Sequence, residues 1–194
     1  MTTLAAIEPG RPQPFLPTGR SFTVDDLLEF PDDGNRYELF NGSLLVSPSP
    51  TPMHQLVITN VMVALQAAAP PHLVTLTAAN LRVSEKDYYI PDVVVVSRSS
   101  VRTVRLMFAP QDLLLAVEVG SPSTRMRDED LKAKTYAQAG IPVYWRVEPD
   151  EGPALYVYEL DGDHYGPPAV HKAGVVAKLT RPFEVGLDPA QLLD

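Results

Sequence analysis

The sequence predicts one mixed α/β domain built around a central β-sheet, and three observations carry that expectation. Four consecutive valines at 93–96 and the nearly continuous apolar run at 113–119 read as strands covered on both faces. Val57, Ile58, Val61, Met62 and Leu65 recur at helical spacing, and Pro70-Pro71 ends that stripe. Segments of helical and strand period alternate along the chain without an internal repeat, which is the pattern of an α/β domain. The chain has 194 residues, which corresponds to about one domain of roughly 150 residues.

The elements follow in order. Residues 1–20 hold four prolines and no apolar period, so they are expected to form an extended or disordered, flexible arm outside the domain, which spans 21–194. Thr23 caps a short helix over 24–30, with Asp25 and Asp26 favourably placed in its first turn and Pro31 closing it. Asn41-Gly42 between two apolar runs accepts positive φ at both turn positions and predicts a β-hairpin. The run Ser47-Pro-Ser-Pro-Thr-Pro52 reads as a stiff loop leading into the helix at 53–68. Strands are expected over 73–83, 88–96 and 113–119. A helix follows over 128–139, stopped by Gly140 and Pro142. Further strands are expected at 143–147, 155–160 and 175–179, with a closing turn at 188–192.

Bulk properties exclude several classes. Hydrophobic residues make up 45% and charged residues 21%, too apolar for wholesale disorder. No stretch approaches the 20 or so unbroken apolar residues of a membrane helix. Without cysteine there is neither a disulfide frame nor a thiolate zinc site. The N-terminus lacks a signal-peptide pattern, so a cytoplasmic location is expected. The net charge of −8 opposes salt-driven nucleic-acid binding over the whole surface. Residues 98–136 run against that balance, with seven bases (Arg98, Arg102, Arg105, Arg125, Arg127, Lys132, Lys134) against five acids.

Two acids are conspicuous for their surroundings. Asp92 lies between Pro91 and the four valines, and Glu118 interrupts the run at 113–119. A carboxylate in such a place is costly unless paired, hydrogen-bonded or bound to a metal. Either acid alone reads as well as a structural ion pair or a strand-end residue in water. If their strands are neighbours, the two carboxylates face one another, and a divalent cation with hard oxygen ligands relieves the repulsion. Asp128, Lys132 and Tyr136 recur at four-residue spacing on one helix face, which equally describes an exposed Asp–Lys pair. His54 reads as a capping or packing residue, with a role as a base the minor alternative, Tyr136 as a neighbour of Lys132, and Trp145 as core. His72, His164 and His171 show no ligand spacing, and Ser121 and Ser123 have no local triad partners.

At these residues the sequence resembles a known family. Six pieces stand in order: Arg36-Tyr-Glu-Leu…Asn41-Gly, Ser47-Pro-x-Pro-x-x-x-His54, Pro91-Asp92, Glu118-Val-x-Ser-Pro-Ser-Thr124, Asp128-x-x-x-Lys132-x-x-x-Tyr136 and Ala139-Gly-Ile-Pro-x-Tyr-Trp145. Together they resemble the Uma-two family of restriction endonucleases, of the PD-(D/E)XK nuclease superfamily, from about Ser21 onward. The resemblance implies a restriction-endonuclease-like α/β/α core with a central mixed sheet and an N-terminal helix plus hairpin. It implies that Asp92 and Glu118 bind the metal. Glu38 corresponds to a position expected to add a third carboxylate, or else is an outward-facing strand residue. The superfamily usually places its lysine two residues after the second acid. Here that position is Gly120, and the resemblance implies that Lys132, from the following helix, supplies the amine.

The implied activity is phosphodiester hydrolysis, in DNA, with Mg²⁺ or Mn²⁺ as cofactor and a homodimer as the arrangement that cuts both strands. A non-catalytic binding or assembly module on the same fold is the alternative, favoured by the acidic charge. A hydrolase of smaller phosphate esters is a third reading.

Overall fold

Residues 21–30, 35–47, 49–120, 128–150 and 152–194 are described by a computed structural model. The expected N-terminal arm, Pro31 and the Ser121–Thr124 stretch of the motif lie outside them. The helices are α1 (Val24–Leu27), α2 (Pro52–Ala68), α3 (Arg98–Thr103) and α4 (Asp128–Gln138). The strands are β1 (Arg36–Phe40), β2 (Ser43–Ser47), β3 (Leu73–Thr77), β4 (Leu81–Arg82), β5 (Tyr88–Tyr89), β6 (Val93–Ser97), β7 (Leu113–Val119), β8 (Val143–Glu148), β9 (Ala154–Asp161), β10 (His164–Tyr165), β11 (Ala169–Lys172), β12 (Ala177–Leu179) and β13 (Val185–Leu187). Short 3₁₀ turns stand at Pro110–Asp112 and Pro189–Leu193.

The valine run does what its composition predicts. All four valines of β6 are fully buried, on a strand flanked by β7 and β3 in a sheet ordered β10-β9-β8-β7-β6-β3, with β11 also paired to β9. The sheet is mixed: β6 and β7 are antiparallel, whereas β7 and β8 run parallel. Side chains alternate across it. Val93, Val95, Leu115 and Val117 meet Val57, Ile58, Val61 and Leu65 of α2 on one face. Val94, Val96 and Ala116 meet Tyr136 of α4 and Ile141 on the other. A helix on each face of a mixed sheet is the α/β/α arrangement expected. Thr51 caps α2 by accepting from the His54 amide at 3.2 Å, and Pro52 occupies its first turn, where the missing N–H costs nothing. Each fully buried Val or Leu of its stripe contributes about 1.5–3 kcal/mol of apolar transfer.

A second sheet, β2-β1-β5-β4, carries the hairpin. Asn41 and Gly42 adopt φ of 45° and 76°, as the hairpin turn requires. Gly42 also packs against Ser21, leaving no room for a Cβ.

Several boundaries differ from the sequence reading. The strand expected over 73–83 breaks at Ala78, whose φ of 50° turns the chain out of the sheet. The strand expected over 88–96 divides at Pro91, which has no N–H for a ladder, so β5 joins the small sheet and β6 the large one. The helix expected over 24–30 ends at Leu27 despite a Thr23–Asp26 capping box. Helix α3 was not anticipated: it buries no residue and so gives no apolar period, only a Ser97 cap. The tail adds β10, β11 and β13. The basic segment does not form one patch among the described residues, because α3 leaves the opposite end of β6 from Asp92, about 16 Å away for five strand residues. No described helix is long and apolar enough to cross a membrane.

Candidate active site

The antiparallel register pairs Val93 with Val117, so Asp92 and Glu118 stand next to each other where the β6–β7 ladder ends. The Asp92 Oδ2 accepts the Val119 N–H at 2.9 Å, which ties the first acid to the peptide following the second. Glu38 comes from β1 of the other sheet. It is 5% exposed, and its Oε1 accepts the Ile90 N–H at 2.8 Å, fixing the chain just before Pro91-Asp92.

Helix α4 completes the cluster. Lys132 Nζ lies 3.1 Å from both Glu118 oxygens and 3.1 Å from Glu38 Oε1. One turn on, the Tyr136 hydroxyl donates to Glu118 Oε1 at 2.7 Å. From the opposite helix layer, His54 Nε2 lies 3.1 Å from the Val119 carbonyl oxygen and 3.4 Å from Asp92 Oδ2. Arg36, two residues before Glu38 on the same strand face, donates through Nη2 to the Ile90 carbonyl at 2.8 Å. Its Nη1 stands 3.8 Å from Asp92 Oδ1.

Burial and mutual charge set the protonation states. Burial pushes the Glu118 carboxyl up to about 7; Asp92 and Glu38 add to the rise, while Lys132 and the Tyr136 hydroxyl oppose it. For Lys132, burial works against the charge, but Glu118, Glu38 and Asp92 outweigh it and hold the amine as an ammonium above the ordinary lysine range. Burial also works against the Asp92 charge. His54, the Val119 N–H and Lys132 nevertheless hold that carboxyl below its usual value. His54 itself is raised, since Asp92 and the Val119 carbonyl overcome the effect of burial. The Tyr136 hydroxyl, pushed well up by burial and by Glu118, stays protonated as the donor to that carboxylate.

The donors fit a divalent cation in kind. Among the described residues no three His, Asp or Glu side chains converge closely enough to hold an ion by themselves. A pair of carboxylates is nevertheless what Mg²⁺ commonly takes from a protein, keeping waters and substrate phosphate oxygens for its other positions. Among the described residues, the ion-pair partner of Asp92 Oδ1 is Arg36, at 3.8 Å.

Glu38, Asp92, Glu118 and Lys132, read from the sequence as one site, are brought together here. Glu38 faces inward, so the outward-facing alternative does not hold. Lys134 is exposed, and the side chain of Asp128 lies outside the described residues. Gly120 has a physical reason: a Cβ there would sit 2.6–2.8 Å from the Glu148 carboxylate, which pairs with Arg146 at 3.4 Å. A lysine at 120 would displace that pair. Sequence reasoning noted Arg36 only as part of the motif, gave His54 no more than a minor alternative role as a base, and read Tyr136 as packing beside Lys132. Arg36 was detectable from its two-residue offset from Glu38, which puts both on one strand face. His54 was not, because its partners are 38 and 65 positions away.

Comparison with known proteins bears on the fold and the family. No curated protein matches the chain. Among solved structures, the fold is similar to that of "a putative nuclease belonging to DUF820" from Anabaena variabilis ATCC 29413. The TM-score is 0.73 at 17% identity, over 89% of this chain and 97% of that one. At that identity the likeness speaks for the fold. The model of the Uma2 family, described as "Putative restriction endonuclease", matches residues 24–192. Spanning nearly all of the domain, that match makes the chain a member of the Uma2 restriction-endonuclease family.

Proposed function

We propose that the protein is a divalent-metal-dependent endonuclease that hydrolyses phosphodiester bonds in DNA at the Asp92–Glu118–Lys132 cluster. The observation that carries this reading is the Lys132 ammonium, 3.1 Å from carboxylates of two different sheets. A lysine 14 residues from one acid and 94 from the other reaches both. A purely structural ion pair needs one acid, and each further buried carboxylate adds desolvation cost.

Asp92 and Glu118 would hold the cation, which when bound polarises the scissile phosphate and acidifies a water. Lys132 neutralises charge that builds on the phosphoryl oxygens and orients the water, starting from its present place on Glu118. Glu38 keeps the amine aimed between the strands and holds the Ile90 peptide. Tyr136 fixes the Glu118 rotamer by its hydrogen bond. Arg36, whose side chain is 31% exposed where its neighbours are 6–15% exposed, offers a guanidinium to the approaching phosphate. Formal charge supports an anionic substrate: three carboxylates, Lys132 and Arg36 sum to −1, and a divalent cation brings the site to +1. Cleavage of both strands calls for two such sites, hence a homodimer on DNA.

The test is a cleavage assay on plasmid, single-stranded and branched DNA with Mg²⁺ or Mn²⁺, using Asp92→Asn and Lys132→Ala as controls. Metal-dependent nicking lost in both variants supports the reading. Turnover of small phosphate esters without DNA cleavage would shift it to a smaller substrate. Absence of both activities, with DNA still bound, would leave a non-catalytic module.

A further inference from the structure

The two oxygens of the Asp92 carboxylate have different surroundings. Oδ2 is engaged twice, by the Val119 N–H at 2.9 Å and by His54 Nε2 at 3.4 Å. Oδ1 has, among the polar groups of the described residues, the 3.8 Å approach of Arg36. His54 Nε2 also stands 3.1 Å from the Val119 carbonyl. Both of its neighbours are acceptors, so Nε2 must carry the hydrogen and share it between them. Both backbone polar groups of Val119 are therefore engaged, its N–H by Asp92 and its C=O by His54. Val119 directly follows Glu118, and His54 sits in the first turn of α2, on the apolar side of the sheet.

From this geometry we infer that His54 is a positioning residue for the cation site: from α2 it sets the Asp92 carboxylate and the carbonyl of Val119, the residue after Glu118, so that Asp92 Oδ1 and the Glu118 carboxylate face one ion. The inference rests on the cation-site reading above and goes beyond it by assigning a residue that touches neither cation nor substrate. A core histidine needs no such arrangement. Its Nδ1 is buried without a hydrogen-bond partner among the described residues, an expense incurred while the other nitrogen is committed to the two strand ends. Partners that orient a metal ligand commonly change metal affinity 10- to 100-fold when removed.

The experiment is calorimetric titration of Mn²⁺ into wild type, Asp92→Asn, His54→Ala and His54→Gln, without DNA. Glutamine can return an N–H donor near the Nε2 position. The inference predicts affinity about 10- to 100-fold weaker in His54→Ala and largely restored in His54→Gln. Wild-type affinity in His54→Ala, with binding lost in Asp92→Asn, overturns this inference alone. Binding unaffected by Asp92→Asn, or absent from wild type, overturns the cation-site reading and this inference with it. Should His54→Ala fail to fold, the imidazole ¹H–¹⁵N spectrum of metal-free wild type decides. A slowly exchanging proton on His54 Nε2 supports the inference, and a proton on Nδ1 alone contradicts it.

Discussion

The two helix layers use the same strands in opposite ways. Under α2 the sheet presents Val93, Val95, Leu115 and Val117 to an aliphatic stripe. Under α4 it presents Val94, Ala116 and Tyr144, the last in edge-to-face contact at 5.6 Å with Tyr136 of the helix, and then the charged cluster at the strand ends. One residue step along β6 or β7 changes a side chain's layer. The apolar layer fixes the strands with non-directional burial; the polar layer spends that rigidity on holding like charges together. His54 is where the two meet, since it belongs to α2 yet touches Asp92.

Mutations separate the layers. The largest effect is expected for Lys132→Ala, which leaves Glu38 and Glu118 buried without their cation. The loss should be about 3–5 kcal/mol near pH 8, with cleavage abolished. It should shrink at pH 5, where Glu118 takes up a proton. Leu65→Ala, 1% exposed on the α2 side, should cost about 2–5 kcal/mol at either pH and leave turnover of the folded protein intact. Urea unfolding at the two pH values checks both. Tyr136→Phe removes one hydrogen bond to a carboxylate and should cost about 1.5–3 kcal/mol, with turnover reduced rather than lost.

The pH dependence itself sharpens the contrast. Glu118 is raised from 4.5 to about 7 on folding. Its contribution is therefore present below 4.5 and lost as pH rises through about 7. His54 is raised from 6.5 and has the same sign. Asp92 is lowered, so its contribution is present above 3.8 and is lost only in stronger acid, as pH falls through its folded value. Stability should accordingly fall between pH 5 and pH 8, and Glu118→Gln should flatten the slope, whereas Leu65→Ala should only shift the curve downward. A wild-type curve level across that range would refute the assignment. The smallest effect is expected for Arg36→Met: folding nearly unchanged, weaker DNA binding, and a salt slope reduced by about one.

Legibility from sequence followed the same division. The apolar layer was readable because it rests on period: the stripe of α2 and the runs of β6 and β7 announce their burial. Asp92 and Glu118 were readable as violations of those runs, and Glu38 and Lys132 through the family resemblance. Local breaks were not readable. Ala78 takes a positive φ without being glycine, asparagine or aspartate, and Pro91 assigns Tyr88–Tyr89 to another sheet only once both sheets exist. The contacts of Arg36 and His54, as distinct from the strand face of Arg36, were hidden for a related reason. What they do depends on atoms brought near by tertiary structure, the Ile90 carbonyl for one and the Val119 carbonyl for the other.

The most direct measurement of the central claim is anomalous diffraction from a crystal soaked in Mn²⁺. The account predicts one peak within coordination distance of Asp92 Oδ1 and the Glu118 carboxylate, with the Lys132 amine beside it. A peak elsewhere, or none at these two side chains, would contradict it.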